Sequence, residues 1–236
     1  MTSATFVLVH GAWHGGWCWS RVSGPLRGQG HRVITPTLTG LGERSHLLSP
    51  RITLDTFIQD IANVLVWEDL NDVVLVGHSF AGLVISGVAD RMPQRIRHLV
   101  YLDAFVMDPG QSVFDTLPPS LVERLREHAQ PAGALAVPRP ESFGLDQPQD
   151  IAFIEQRLTP HPLGTYETPF NLKHPLGNGL PATYLSCIRP PFAAVDSSHQ
   201  WVRQNAPHWT WQDLDTGHAA MVSAPALVLR ALEGLA

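Results

Sequence analysis

Six short apolar runs rich in Val, Ile and Leu are spread along the 236-residue sequence, and segments with helical spacing separate them. Several runs are continuous rather than alternating, which is typical of parallel strands that are covered on both faces. Alternation of strands and helices predicts an α/β fold built on a doubly wound, mostly parallel sheet. The predicted strands lie at residues 6–10, 32–35, 73–76, 96–102, 183–188 and 208–214.

The alternation is interrupted between residues 103 and 182, a stretch far longer than an ordinary crossover. Twelve of the chain's 20 prolines lie between Pro109 and Pro181, around helical patches at 121–128 and 150–157. Aromatic and aliphatic residues give this stretch the means to pack, which argues against a disordered linker. We predict a mainly helical cap at residues 107–180, inserted into a core formed by residues 1–106 and 181–236.

Charge and composition exclude several classes of partner. The formal net charge is -5, and Lys173 is the single lysine, so the sequence has no basic patch for nucleic acid or an anionic membrane. No apolar segment is long enough for a membrane span, and the N-terminus does not resemble a signal peptide. We therefore expect a cytoplasmic protein. The two cysteines, Cys18 and Cys187, have no metal-like spacing.

The segment GHSFAG, residues 77–82, stands where the third predicted strand gives way to a helix. Ligands of open α/β sheets bind beyond the carboxyl ends of the strands, which is where Ser79 lies. In a nucleophile elbow, a sharp turn lifts the serine hydroxyl above the sheet and the residues two positions away must be small. Gly77 and Ala81 meet this need, although the signature G-x-S-x-G ends in glycine. We predict that Ser79 is a nucleophile.

A serine hydroxyl needs a base to take its proton, and the chain has 12 histidines. His218, in the segment DTGHAAM, follows the last predicted strand, and a histidine last in chain order is one known arrangement of serine nucleophile and base. We predict His218 as the base. His10 and His14 are spaced like a metal pair, but no HExxH pattern or third ligand accompanies them, so no metal is expected. The remaining histidines are expected to be exposed to solvent, or buried with their ring nitrogens hydrogen-bonded.

A glycine-rich loop, HGAWHGGW, follows the first predicted strand. Such a loop lets backbone N–H groups approach a substrate closely. Ester hydrolysis needs two N–H groups aimed at the oxygen that becomes negative, and we predict those of Ala12 and Phe80. A phosphate site is not indicated, because neither G-K-[ST] nor G-x-G-x-x-G occurs. No cofactor is expected.

The segments FVLVHGAWHGGWCW, GHRVITPTLTGLG, VVLVGHSFAGLVIS, LVYLDAFV and DTGHAAM together resemble the plant methylesterase and hydroxynitrile lyase branch of the α/β-hydrolase superfamily. They are closer still to small bacterial carboxylesterases similar to that branch. The resemblance covers both ends of the chain and is faint across the cap. It implies a six-stranded sheet with a helical cap, often a homodimer, and no cofactor. It maps the nucleophile on Ser79, the base on His218, and the oxyanion donors on Ala12 and Phe80.

Two departures from that branch matter. Its lyase members carry a lysine after the catalytic histidine and a threonine in the first loop, where this chain has Ala219 and Ala12. Cyanohydrin cleavage is therefore not expected. The plant proteins also carry the acid that orients the histidine after the strand corresponding to residues 183–188, where this chain reads Arg-Pro-Pro-Phe and has no carboxylate.

Two carboxylates are candidates for the missing acid. Asp103 ends the strand HLVYLDAF, one strand beyond the nucleophile, and some α/β hydrolases place their acid there. A carboxylate at the end of an apolar strand is costly to bury unless it is paired, and an imidazolium is a suitable partner. Asp196 lies in AAVDSSHQW, where it could instead cap a helix. We favour Asp103 and keep Asp196 as the alternative.

These observations predict a serine carboxylesterase for a small-molecule ester. Trp13, Phe105 and Phe143 are candidates for the substrate pocket, and an apolar, aromatic-lined site suits neutral aryl or alkyl esters. Lactonase, thioesterase and hydroxynitrile lyase activities are the alternative reactions on such a site. A non-catalytic receptor for small molecules is the alternative of a different class.

Overall fold

The computed structural model describes residues 3–129 and 133–236 and is built on a six-stranded parallel sheet. In chain order the strands are β1 (Thr5–Val9), β2 (Arg32–Ile34), β3 (Val73–His78), β4 (Ile96–Leu102), β5 (Ala134–Leu135), β6 (His161–Pro162), β7 (Ala182–Cys187) and β8 (Thr210–Leu214). The sheet has the order β2-β1-β3-β4-β7-β8, and every neighbouring pair is parallel. The predicted six-stranded α/β fold is confirmed.

The continuous apolar character of the strands is explained by two hydrophobic clusters, one on each face of the sheet. Phe6 and Leu8 of β1 belong to one cluster, whereas Val7 and Val9 belong to the other. Because both faces are covered by helices, successive residues of such a strand are buried, and apolar side chains are favoured at all of them. The helices are α1 (Ser20–Gly28), α2 (Leu54–Trp67), α3 (Ala81–Arg91), α4 (Pro119–Glu127), α5 (Pro148–Glu155), α6 (Gly164–Glu167), α7 (Asp196–Asn205), α8 (Ala220–Ser223) and α9 (Pro225–Glu233).

Each face of the sheet is covered by its own helices. Apolar residues of α1 and α9 enter the cluster of Phe6 and Leu8, and those of α2 and α3 enter the cluster of Val7 and Val9. A capping box between Thr53 and Thr56 begins α2. This arrangement leaves the carboxyl ends of the strands to the loops that carry the predicted site.

The C-terminal helix differs from its prediction. The sequence predicts one helix at 224–235, whereas the structure has α8 and α9 separated at Ala224, whose φ and ψ are -139° and 54°. The residue before a proline is disfavoured in the helical region, and Pro225 begins α9. The break follows α8, which begins two residues after His218.

Between β4 and β7 the chain forms α4, α5, α6, several 3-10 turns and the short antiparallel pair of β5 and β6. Residues 130–132 of the predicted cap, and residues 1 and 2 of the predicted core, lie outside the described residues. In the part of the chain that is described, no helix has both the length and the apolar character that crossing a bilayer requires.

Candidate active site

Ser79 occupies a sharp turn between β3 and α3. Its φ of 55° is left-handed, a conformation that typically costs a non-glycine residue about 1–3 kcal/mol and persists where the surroundings impose it. A Cβ added to Gly77 would lie 2.7 Å from the carbonyl oxygen of Ala81, and one added to Gly11 would lie 2.8 Å from Cβ of Ser79. The turn therefore requires glycine at residues 77 and 11, and it tolerates the methyl group of Ala81.

The imidazole of His218 bridges Ser79 and Asp103. Nε2 lies 2.9 Å from Oγ of Ser79, and Nδ1 lies 2.6 Å from Oδ2 of Asp103. A carboxylate can only accept, so Nδ1 carries the proton and Nε2 of the neutral ring accepts from the serine hydroxyl. The ring is therefore held in the tautomer that a general base for Ser79 needs.

Asp103 directly follows β4 and is fully buried. Its Oδ1 accepts from the backbone N–H of Cys187 at 3.1 Å and from Nε2 of His199 at 3.1 Å, while Oδ2 accepts from His218. Burial opposes ionisation, but the hydrogen bonds from His199, His218 and Cys187 outweigh it and lower the pKa of Asp103 to about 2. The carboxylate is thus ionised and satisfied, as a buried charge must be.

The other candidate acid, Asp196, lies elsewhere. It is exposed at the start of α7 and has no hydrogen bond to His218 within the described residues. Together with His199, whose ring is bonded to Asp103, it lines a surface cavity of about 360 Å³. The alternative role of Asp196 as a helix cap is wrong: Val195 is the N-cap of α7, and no side chain caps that helix. The structure brings Asp103 to the histidine and leaves Asp196 apart.

Aromatic rings enclose His218. The ring of Phe192 stacks on the imidazole with centroids 3.8 Å apart, and that of Phe143 lies 6.4 Å away. His78 points away from Ser79, and its Nε2 donates to the carbonyl oxygen of His218 at 2.9 Å. His218 is 1 % exposed and Ser79 is 6 % exposed, so the pair is shielded from bulk water.

Four further histidines are buried around this site. Burial lowers the pKa of His10 to about 3 and that of His14 to about 4, and it lowers those of His78 and His161 well below the usual value. All four rings are neutral near pH 7 and serve as fixed hydrogen-bond groups. His10 and His14 each donate from Nδ1 to a backbone carbonyl, that of Gly11 and that of Ala12 respectively, both at 2.8 Å.

These depressed pKa values predict a loss of stability in mild acid. The unfolded chain binds protons at these rings below about pH 6.5, whereas folded His14 does so only near pH 4. The free energy of unfolding is therefore highest above about pH 6.5 and falls as the pH decreases, by about 1.4 kcal/mol per pH unit for each ring.

The substitution His14→Asn tests this, because it keeps a donor for the Ala12 carbonyl and removes the titrating ring. The slope of the free energy of unfolding between about pH 4.5 and pH 6, measured in urea, should fall by about 1.4 kcal/mol per pH unit. An unchanged slope would contradict this.

The two proposed oxyanion donors lie on either side of Ser79. Phe80 follows it directly at the start of α3, and Ala12 belongs to the loop after β1, where Gly11 touches the serine. Among the described residues, neither the N–H of Ala12 nor that of Phe80 has a hydrogen-bond acceptor. Both residues are buried, so these two donors are shielded from bulk water.

The predicted pocket residues fall into two groups. Trp13 is half-buried and Phe143 is buried, with ring centroids 6.0 Å apart beside the His218 loop. Phe105 contacts the serine turn through its backbone, since its N–H donates to the carbonyl oxygen of Ser79 at 2.9 Å. The structure therefore brings the first two side chains together and gives the third a backbone contact.

No three side chains of His, Cys, Asp and Glu in the described ranges lie close enough together to hold a metal ion. The sequence reasoning missed the contacts of His199 with Asp103, of Phe192 with His218, and of His161 with the first loop. Both His161 and His199 belong to the histidines that the sequence predicts to be exposed or hydrogen-bonded in the core. Only the tertiary structure distinguishes them, because no local pattern marks either ring.

Comparison with known proteins identifies the family. The sequence matches the Alpha/beta hydrolase family over residues 6–231. A carbendazim hydrolyzing esterase of Nocardioides sp. (strain SG-4G) is 46% identical over 180 residues, covering 72% of this chain and 74% of that protein. Methylesterase 2 of Arabidopsis thaliana is 28% identical over 251 residues, covering 94% and 92%. An extracellular alpha/beta-hydrolase from a Paenibacillus species has a similar solved structure, with a TM-score of 0.82, 24% identity and 98% coverage of both chains. The chain belongs to the alpha/beta hydrolase family.

Proposed function

We propose that this protein is a serine carboxylesterase that hydrolyses small, largely apolar esters through an acyl-enzyme. The observation that carries the proposal is the chain of hydrogen bonds from Ser79 through His218 to Asp103, at 2.9 Å and 2.6 Å. The relatives that are named esterases support the reaction class. We assign Ser79 as nucleophile, His218 as base and Asp103 as the acid that orients it.

The geometry supports a two-step reaction. Oγ of Ser79 attacks the ester carbonyl carbon while Nε2 of His218 takes the hydroxyl proton, and Asp103 stabilises the imidazolium that forms. The N–H groups of Ala12 and Phe80 donate to the negative oxygen of the tetrahedral intermediate. When that intermediate collapses, the alcohol leaves with the proton from His218. A water molecule then attacks the acyl-enzyme, with His218 as base again, and releases the carboxylic acid and free Ser79.

The surroundings of Ser79 support a neutral, apolar substrate. Trp13 and Phe143 pack against each other beside the site, and Phe192 covers the imidazole. The histidines closest to the site are neutral because they are buried. Such a site binds aryl or alkyl groups without the cost of leaving an ionic group of the substrate unpaired. Carbendazim is a sensible test compound, because the 46% identical relative is named for hydrolysing it.

The alternative activities make different demands. Lactones and thioesters would use the same attack by Ser79 and differ only in the leaving group. Cyanohydrin cleavage is disfavoured by Ala12 and Ala219, which stand where the lyases have threonine and lysine. A receptor would not need the hydrogen-bonded alignment of Ser79, His218 and Asp103.

Three expectations from the sequence accompany this proposal. We propose residues 107–180 as the cap and residues 1–106 and 181–236 as the core, a cytoplasmic location, and a homodimer. Light scattering of the purified protein tests the oligomeric state, and fractionation of cells that produce it tests the location.

A fluorophosphonate probe tests the nucleophile directly. We expect it to label one residue, Ser79, with loss of p-nitrophenyl acetate hydrolysis in proportion to labelling, because the hydrogen-bonded hydroxyl attacks phosphorus as it attacks an ester. Peptide mass spectrometry locates the adduct, and heat-unfolded protein is the control. A panel of p-nitrophenyl esters, a lactone, a thioester, mandelonitrile and carbendazim separates the activities. Label on another residue, or an inert but folded protein, would contradict the proposal.

A further inference from the structure

The loop after β1 is held by two residues of the proposed cap, Thr159 and His161. The N–H of Thr159 donates to the carbonyl oxygen of Trp13 at 3.0 Å, and the N–H of Trp13 donates to Nδ1 of His161 at 3.4 Å. Both backbone polar groups of Trp13 are thus bonded to the segment 159–161. The residue concerned is the one directly after Ala12, the proposed oxyanion donor.

The hydrogen bonds of His161 define its tautomer. The hydroxyl of Thr165 donates to the carbonyl oxygen of Pro162 at 2.8 Å, so it accepts from Nε2 of His161, also at 2.8 Å. Nε2 therefore carries the proton and Nδ1 is free to accept from Trp13. Burial lowers the pKa of His161 well below its usual value, so the ring stays neutral and keeps this acceptor. His161 and Thr165 are both fully buried, and water does not compete for these bonds.

Trp13 needs such support because of its backbone. Its φ is 63°, a left-handed conformation that a bulky side chain adopts only where the structure imposes it. The loop is held at other points too, since the carbonyl oxygens of Gly11 and Ala12 accept from His10 and His14. In contrast, the N–H of Ala12 has no acceptor among the described residues. The loop is thus fixed so that one donor remains free.

We propose that His161 is a positioning residue for ester hydrolysis: by holding the N–H of Trp13, it fixes the left-handed turn that aims the N–H of Ala12 at the oxyanion. The oxyanion hole is then complete only when segment 159–161 is hydrogen-bonded to Trp13. This inference rests on the proposed function of Ser79 and Ala12.

Two substitutions of His161 separate the acceptor from the rest of the ring. In His161→Asn, the amide oxygen takes the place of Nδ1 and can still accept from Trp13. In His161→Gln, the amide reaches the place of Nε2, so the bond to Thr165 can form but the acceptor for Trp13 is lost. His31→Gln is the matched control, because Nδ1 of buried His31 also accepts a backbone N–H, that of Ala4, just before the amino end of β1.

We expect His161→Gln to lower kcat for p-nitrophenyl acetate by about 10- to 100-fold with KM little changed, because an oxyanion donor acts mainly in the transition state. A trifluoromethyl ketone analogue, which forms a tetrahedral oxyanion on Ser79, should lose affinity by the same factor. His161→Asn should stay within about threefold of wild type, and His31→Gln should match wild type. Thermal unfolding of each variant reports on folding.

The outcomes are decisive in either direction. A folded His161→Gln protein with wild-type kcat, or equal losses in the Asn and Gln variants, overturns the inference. If His161→Gln does not fold, Thr165→Val replaces it, because it removes the hydrogen bond that holds the His161 ring in place against Trp13. A kcat loss in that variant supports the inference, and an unchanged kcat overturns it. If Ser79→Ala is as active as wild type, the proposed function itself has failed.

Discussion

Replacing Ser79 with alanine is expected to lower kcat for p-nitrophenyl acetate by about 10⁶-fold, to the level of residual catalysis by the rest of the site. The hydroxyl of Ser79 is hydrogen-bonded to His218, and its removal leaves no nucleophile at the turn. The backbone strain of the turn is unchanged, because alanine keeps the Cβ that makes a φ of 55° unfavourable. The thermal midpoint should therefore shift by no more than a few degrees.

Ser86→Ala is the matched control. Ser86 is a buried serine of α3, the helix that follows the turn at Ser79, and its hydroxyl bonds to Gly82 and Tyr101 rather than to the site. This variant should keep wild-type kcat and lose some stability, since a buried hydrogen bond contributes about 1 kcal/mol. Steady-state kinetics on proteins purified from an esterase-deficient host measure both variants. If Ser79→Ala retained near wild-type kcat, another residue would have to be the nucleophile.

Much of the fold and of the candidate site could be predicted from the sequence, because the patterns that indicate them are local. Continuous apolar strands predict a sheet that is buried on both faces, and the split of Phe6 and Val7 between two clusters shows why alternation is absent. The turn at Ser79 could be predicted because it requires a glycine at residue 77, where there is no room for a side chain. The hydrogen-bonding distance between Ser79 and His218 follows from the fold, since both loops emerge at the carboxyl edge of the sheet.

Other parts of the site depend on contacts between residues that are distant in sequence. Asp103 directly follows β4 and Asp196 begins α7. The sequence favoured Asp103 as the acid without excluding Asp196. Their difference is tertiary: Leu185 of β7 accepts the N–H of Asp103, and the N–H of Cys187 points at its carboxylate. The role inferred for His161 depends on a contact with Trp13 that spans 148 positions. Neither contact leaves a periodic pattern in the sequence.

The surroundings of Asp103 also determine what an amide at this position would do. Oδ1 accepts from the backbone N–H of Cys187, and a backbone donor cannot reverse its role. In Asp103→Asn, the amide oxygen must therefore stay beside Cys187 and the amino group must face Nδ1 of His218. Facing a donor, Nδ1 becomes an acceptor, and the imidazole proton moves to Nε2. A ring with its proton on Nε2 cannot take the proton of Ser79.

We therefore expect Asp103→Asn to lower kcat by about 10⁴-fold with little change in KM, the effect of holding a base in the wrong tautomer. The fold should persist, because the substitution preserves shape and removes a buried charge. Asp196→Asn is the matched control and should keep wild-type kcat, since Asp196 is exposed and lies away from His218. The downfield proton signal of His218 Nδ1 in NMR spectra, present in wild type, should be lost in Asp103→Asn and retained in Asp196→Asn. Loss of activity in Asp196→Asn with activity spared in Asp103→Asn would reverse the assignment of the acid. Equal activity in both variants would mean that the histidine is oriented without a carboxylate.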